Sequence, residues 1–268
     1  MMTTDLIGYL LAVLVGVSLG LIGSGGSILT VPILVYVMGV NPILATAYSL
    51  FVVGTTSLVG GVQNAIQKKV DFKTVFIFGI PSIIAVYLTR AYLMPLIPDV
   101  IISIGSFEFT KPIALMVLFA IVMIFASISM IRPCPHCNDA DTGEIKYNYP
   151  MILLEGALVG TLTGLVGAGG GFLIIPALVL LAKMPMKLAV GTSLFIIAAK
   201  SLLGFTGDLQ GSETIDWTLL SIFTGLSVVG IFIGIFLSKK IEGNKLKSAF
   251  GWFVLVMGIY ILIKELFL

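Results

Sequence analysis

Apolar runs of membrane-spanning length follow one another from end to end of this 268-residue chain, and that succession leaves few folds open. They fall at about 6–22, 27–40, 43–63, 73–95, 112–131, 150–166, 172–182, 188–206, 217–238 and 247–267. Inside a bilayer every backbone N–H and C=O needs a partner within the protein, so runs of this kind are helices. A membrane β-barrel is excluded, because its strands would alternate at period 2 and these runs are continuous. Only 10% of residues are charged, against about 25% in a soluble domain, so most of the surface meets something other than water. The expected class is all-α, a polytopic helical membrane protein with lipid as its surroundings. The net charge is +2 and the basic residues are scattered, so no nucleic-acid partner is indicated. The stretch Met1 to Asp5 has no basic character and no small-residue cleavage site follows, so the first run reads as a retained span.

Two of the ten runs are too short. At about 1.5 Å per residue, 27–40 and 172–182 reach roughly 16–21 Å, against about 30 Å of hydrocarbon. Each directly follows a glycine turn, Gly20-Leu-Ile-Gly-Ser-Gly-Gly-Ser27 with Pro32 beyond and Gly164-Leu-Val-Gly-Ala-Gly-Gly-Gly171 with Pro176 beyond. The two turns stand 144 positions apart. The same offset aligns Gly16, Pro32, Ala45, Ser49, Ser57 and Gly60 with Gly160, Pro176, Ala189, Ser193, Ser201 and Gly204. Apolar identities are cheap in a membrane protein; glycines, prolines and serines in register are not, so the chain is an internal duplication. Short, glycine-interrupted segments at matching places in two halves predict the broken or re-entrant helices of a transporter.

Loop charge predicts how the halves are oriented. The turn after the third run carries Lys68, Lys69, Asp71 and Lys73, whereas its counterpart carries Asp208, Glu213 and Asp216 without lysine or arginine. Basic loops face the cytoplasm, so equivalent loops lie on opposite sides and the repeats are inverted. Three segments follow: 1–131, a first transmembrane repeat; 132–149, a cytoplasmic linker; and 150–268, a second repeat. Both termini are expected outside the cell membrane. The stretch 96–111 reads as an extracellular loop with short irregular or interfacial structure.

A helix that starts after a glycine turn offers unpaired N–H groups and the positive end of its dipole. Two such turns facing each other near the midplane would form an anion site without any arginine. Its candidate residues are Ser24, Gly25, Gly26 and Ser27 in the first half and Gly169, Gly170 and Gly171 in the second, with the hydroxyls of Thr46, Ser49, Thr192 and Ser193. The competing reading is that these glycines only let helices pack closely. Lys200 sits inside the eighth run where the aligned residue is Thr56, and Glu155 inside the sixth where it is Leu11. Ionisable residues at that depth mark pathways by default. Lys200 is thus a candidate counter-charge to an anion and Glu155 a candidate proton carrier for coupling; alternatively the two form a structural pair, or Glu155 snorkels to the surface. Gln63, Asn64 and Asp208 read as boundary residues. The linker's Cys134-Pro-His136-Cys137 supplies three metal-type ligands, one short of a tetrahedral zinc site. No cofactor is expected, and neither a hydrolytic triad nor a nucleotide-binding loop is present.

The doubled Gly-x-x-Gly-x-Gly-Gly-(Gly/Ser)-x-x-x-x-Pro element resembles that of the sulfite exporter TauE/SafE family of membrane permeases. It is followed by Ala45-x-x-x-Ser49-Leu50 in one half and Ala189-Val-Gly-Thr-Ser-Leu194 in the other. The first copy departs from the family pattern at Ser27 and Tyr48. The resemblance implies transport of small anions, chiefly sulfite and organosulfonates such as sulfoacetate. The expected function is therefore a non-enzymatic secondary transporter working by alternating access, as a monomer or a homodimer. The alternatives are a thiol-relay or metal-dependent membrane protein built on Cys134 and Cys137, and an anion channel.

Overall fold

The computed structural model describes residues 2–23, 26–104, 107–131, 149–167, 171, 174, 175, 178, 184–208, 215–238 and 243–267. Helix α1 (Met2–Ile22) leads through the first glycine turn into the short α2 (Gly26–Pro32), which continues as a π turn, Ile33–Val37. Helix α3 (Pro42–Ile66) starts on an Asn41 cap, whose Oδ1 accepts from Ile43 N at 2.9 Å, with Pro42 in the first helical position. Both are ordinary helix-start chemistry. Helix α4 (Phe72–Leu88) is capped by Asp71 and runs through a second π turn, Thr89–Leu93, into α5 (Met94–Leu96). Helix α6 (Lys111–Ile131) ends the first half. The second half has α7 (Tyr149–Val166), α8 (Met186–Asp208), α9 (Trp217–Ser238) and α10 (Gly243–Phe267). Residue 171, at the end of the second glycine turn, and residues 174, 175 and 178 of the seventh apolar run are helical and buried; the rest of that run lies outside the described residues.

The chain is thus a polytopic helical protein, as expected. Five helices among the described residues are long and apolar enough to cross a membrane: Pro42–Ile66, Phe72–Leu96, Lys111–Ile128, Leu188–Asp208 and Trp217–Ser238. Leu6–Ile22, Ile28–Val37 and Pro150–Val166 are shorter apolar helices. One expectation needs correcting. The stretch after α5 is regular: β1 (Val100–Ile104) pairs antiparallel with β2 (Phe107–Thr110), Ile102 opposite Phe109 and Ile104 opposite Phe107. A run of β-branched residues favours the pleated conformation. Lys111 then ties the hairpin back, its backbone N–H donating to Asp99 O at 2.8 Å and its ammonium to Met94 O.

Helix pairing crosses between the halves. Helix α1 packs on α9, α7 on α4, α3 on α8 and α6 on α10. The contacts of α1 are backbone-close. A Cβ on Gly16 or Gly20 would run into the backbone of α9 at Ser227 and Ile231, while one on Gly230 or Gly234 would run into Val13 O and Val17 O. This is small-residue packing with glycines four apart on both helices. On α7, Gly160 meets Ser82 and Gly164 meets Thr89. Helices α3 and α8 run antiparallel, since Gly54 faces Leu202 and Gly61 faces Phe195. Leu50, Val53, Leu194 and Ile197 of this central pair are fully buried. Phe76, Ile80, Ile84, Phe232 and Phe236 on the outer helices are exposed, which suits contact with acyl chains.

Candidate functional site

Each glycine turn is closed the same way. Gly23 N donates to Leu19 O and Gly167 N to Thr163 O, both at 2.7 Å, and the two glycines hold left-handed φ of 77° and 71°. A left-handed glycine is the usual stop for a helix. Each then packs against a helix of the other half. A Cβ on Gly23 would meet Val190 of α8, and one on Gly167 would meet Thr46 of α3. Val190 and Thr46 stand at the same offset of 144 as the glycines themselves.

Further contacts are equally reciprocal. Asp71 N donates to Thr192 Oγ1 at 2.9 Å, and Asp216 N donates to Tyr48 OH at 2.7 Å. Asp71 and Asp216 cap α4 and α9 through N–H groups two and three residues on. A Cβ on Gly60 would meet Ile231, and one on Gly204 would meet Val86. From these caps onward the correspondence slips by one, to 145, so Asp71, Val86 and Arg90 match Asp216, Ile231 and Ile235.

One expectation fails here. The two turns do not face each other. Gly23 lies against the start of α8, whereas Gly167 lies against the start of α3, which meets the far end of α8 at Asp208. From Val190 to Asp208 is about 27 Å of helix at 1.5 Å per residue. The two turns are therefore separate places in the fold, and their surroundings differ in charge.

Around the second turn stand Arg90, Asp208, Lys200, Thr163 and Thr46; the corresponding positions around the first are Ile235, Asn64, Thr56, Leu19 and Val190. Arg90 lies in the π turn of α4 and is 2% exposed. Single π turns recur at functional sites. Its Nη1 donates to Asp208 Oδ1 at 3.2 Å and to Thr46 Oγ1 at 3.0 Å. Lys200 is fully buried, and its Nζ donates to Thr163 Oγ1 at 3.0 Å. Thr163 therefore closes the glycine turn with its carbonyl and holds Lys200 with its hydroxyl. Thr46 packs on Gly167 with its backbone and receives Arg90 with its hydroxyl. Two buried basic side chains are thus tied to this turn, Arg90 through Thr46 and Lys200 through Thr163, and among the described residues Asp208 is the carboxylate paired with Arg90. Unbalanced buried charge costs several kcal/mol per ion, and an anion entering there would offset it.

The predicted residues fare unevenly. Thr46 and Lys200 belong to this charged cluster. Ser49 is fully buried on α3, and its Oγ has no partner among the described residues. Gly26 packs on Val15 and Leu19 of α1, so it serves close packing. Gly171 is buried and helical. Thr192 and Ser193 sit at the opposite end of α8, the first receiving Asp71 N and the second donating to Val190 O at 2.9 Å. The Lys200–Glu155 pair does not form; Lys200 turns to Thr163 and Glu155 is part-buried on α7. Ser24, Gly25, Gly169, Gly170, Cys134, His136 and Cys137 lie outside the described residues, as does the side chain of Ser27. Among the described residues no group of three His, Cys, Asp or Glu could hold a metal ion. Sequence reading missed Arg90; Asp208, read as a boundary residue, does end α8 and is in addition ion-paired with Arg90. The signal was present: an arginine within the apolar run 73–95 is a site candidate by default.

Residues 8–261 match the family model described as Sulfite exporter TauE/SafE. The chain is 29% identical over 255 residues to a probable membrane transporter protein of Xylella fastidiosa (strain 9a5c), covering 93% of this chain and 91% of the relative. It is 29% identical over 270 residues to the probable membrane transporter protein MJ0441 of Methanocaldococcus jannaschii, covering 94% and 95%. It is 26% identical over 283 residues to the probable membrane transporter protein YunE of Bacillus subtilis, covering 96% and 97%. No solved structure matches.

Proposed function

The chain belongs to the sulfite exporter TauE/SafE family, and from that premise we propose that it moves a small sulfur-containing anion, sulfite or a sulfonate such as sulfoacetate, across the cell membrane by alternating access. It is a multi-pass membrane transporter, and its work is translocation rather than catalysis. The observation that carries the anion reading is the cluster at the second turn, where Arg90 is buried against Asp208 and Lys200 is buried against the Thr163 hydroxyl. Buried basic residues in a membrane interior line substrate pathways.

Support for alternating access comes from the reciprocal contacts. Equivalent helices α3 and α8 run antiparallel, so a two-fold operation relating them has its axis across the helices and in the membrane plane. That is the plan of an inverted repeat, in which one half rocks against the other. The basic turn after α3 is assigned to the cytoplasm and both termini to the outside. Glu155 is the candidate for carrying a coupling proton.

The test is flux into proteoliposomes with labelled sulfite and sulfoacetate. Uptake that saturates, exceeds equilibrium under an imposed gradient and is lost in Lys200→Met is expected. Absence of flux for every small oxyanion tried would sink the reading, and single-channel currents without accumulation would replace it with a channel.

A further inference from the structure

A guanidinium carries five N–H donors, and those of Nε and Nη2 lie side by side along one edge. In Arg90 the remaining nitrogen, Nη1, is occupied by Asp208 and Thr46. Its Nε and Nη2 have no partner among the described residues, and the side chain has no solvent exposure. A buried donor without an acceptor is costly, and here two stand together on a charged group. Buried polar atoms left unpaired in a well-packed interior call for a missing ligand or water. The spacing of this edge fits two oxygens carried on one central atom.

Resting on the anion-transport reading above, we propose that the Nε/Nη2 edge of Arg90 is the substrate-docking edge of the second-turn cluster. It takes a small oxyanion through two oxygens on one centre, and Asp208 and Thr46 are positioning residues that hold the fork from behind. Lys200 adds a second positive charge, fixed by Thr163 beside the same glycine turn. The corresponding position at the first turn is Ile235, so the equivalent of this edge is lacking there and one anion per chain is expected. A spherical anion of equal charge gains little from a planar fork, so the site separates oxyanions from halide by geometry.

The experiment is calorimetric titration of the purified full chain in detergent with sodium sulfite, sodium methanesulfonate and sodium chloride. Wild type is expected to bind one sulfite or one methanesulfonate, each in preference to chloride. Arg90→Lys keeps the charge and loses the fork. It should weaken both oxyanions by about 10- to 100-fold and leave chloride little changed. Asp208→Leu should weaken them by about ten-fold, and Asp208→Asn, which keeps an acceptor for Nη1, should recover part of that loss. The double variant Arg90→Gln/Asp208→Asn removes both members of the ion pair, so neither is left without the other; it should stay monodisperse on size exclusion and bind neither oxyanion. Unchanged oxyanion affinity in Arg90→Lys or in the double variant would overturn the proposal, as would an equal loss for chloride. If wild type binds neither oxyanion, the anion-transport reading itself falls.

Discussion

Among the described residues three glycines share a left-handed backbone, Gly39 at φ 68°, Gly23 at 77° and Gly167 at 71°, and they differ in what surrounds them. An L-residue in that region costs roughly 1–2 kcal/mol. Gly39 has nothing within 4 Å of where a Cβ would stand, so Gly39→Ala carries the backbone strain alone. At Gly167 the added Cβ runs into Cβ, Cα and the carbonyl oxygen of Thr46. Overpacking adds about 1–3 kcal/mol, so Gly167→Ala should cost about 2–5 kcal/mol. The obstruction there is backbone, and trimming the Thr46 side chain cannot relieve it. At Gly23 the nearest atom is Val190 Cγ1 at 2.5 Å, with Cβ at 3.2 Å and Cα at 3.3 Å. Val190→Ala removes the nearest atom. A double-mutant cycle of Gly23→Ala with Val190→Ala should therefore show rescue of about 1 kcal/mol, and Gly167→Ala with Thr46→Ala none. The assay is reversible unfolding in mixed micelles followed by circular dichroism. Equal losses at Gly39 and Gly167, or equal rescue in the two cycles, would refute the clamping of each turn by the opposite half.

Lys200→Met should abolish anion flux and leave the unfolding midpoint unchanged or raised, because an apolar replacement for a buried charge is often neutral or stabilising; flux and unfolding on one preparation check both. Thr192→Val and Tyr48→Phe each strip the acceptor from a helix-cap N–H, of Asp71 and Asp216 respectively. Each should cost about 1–3 kcal/mol, and similar losses in the unfolding assay would reflect the equivalence of the two contacts. Glu155→Gln should keep counterflow exchange and lose accumulation driven by a pH gradient, measured in the same proteoliposomes.

Helices were the legible part of this chain. Apolar runs in lipid have one backbone solution, and Asn41-Pro42 and Asp71 mark helix starts in the local sequence. The turns were legible too, since a glycine that must hold positive φ against a neighbour tolerates little else. The hairpin after α5 was not read, because strand pairing depends on a partner and Val100–Ile104 alone says only that it is apolar. Arg90 was missed for a different reason. Alignment of the halves at one offset exposes asymmetry only where the offset holds, and Arg90 lies beyond the slip to 145, opposite Ile235. Its partner Asp208 is 118 residues away, at the end of another helix, a pairing that no local pattern encodes.

The misplacement of the turns is more instructive, because the sequence held enough to avoid it. Loop charges already implied that equivalent loops lie on opposite sides. On the proposed inverted plan a two-fold axis in the membrane plane would carry any feature at one face to the other, so two equivalent turns near the helix ends would not share one site. Duplication then supplies two equivalent places on one scaffold, each where a glycine turn packs on a helix of the other half. With identical linings both would bind, and the bound anion would have no preferred half. Replacing Ile235, Thr56, Asn64, Val190 and Leu19 at the first turn by Arg90, Lys200, Asp208, Thr46 and Thr163 at the second concentrates the charge in one of them. In the proposed transport cycle symmetry would provide the rocking motion, and its local loss the site. Exchanging the pair is therefore decisive: Arg90→Ile with Ile235→Arg and Asn64→Asp should lose oxyanion binding at the second turn and create it at the first, seen as a binding that no longer depends on Lys200. Binding that still needs Lys200 after the exchange would mean that the two places are not interchangeable scaffolds.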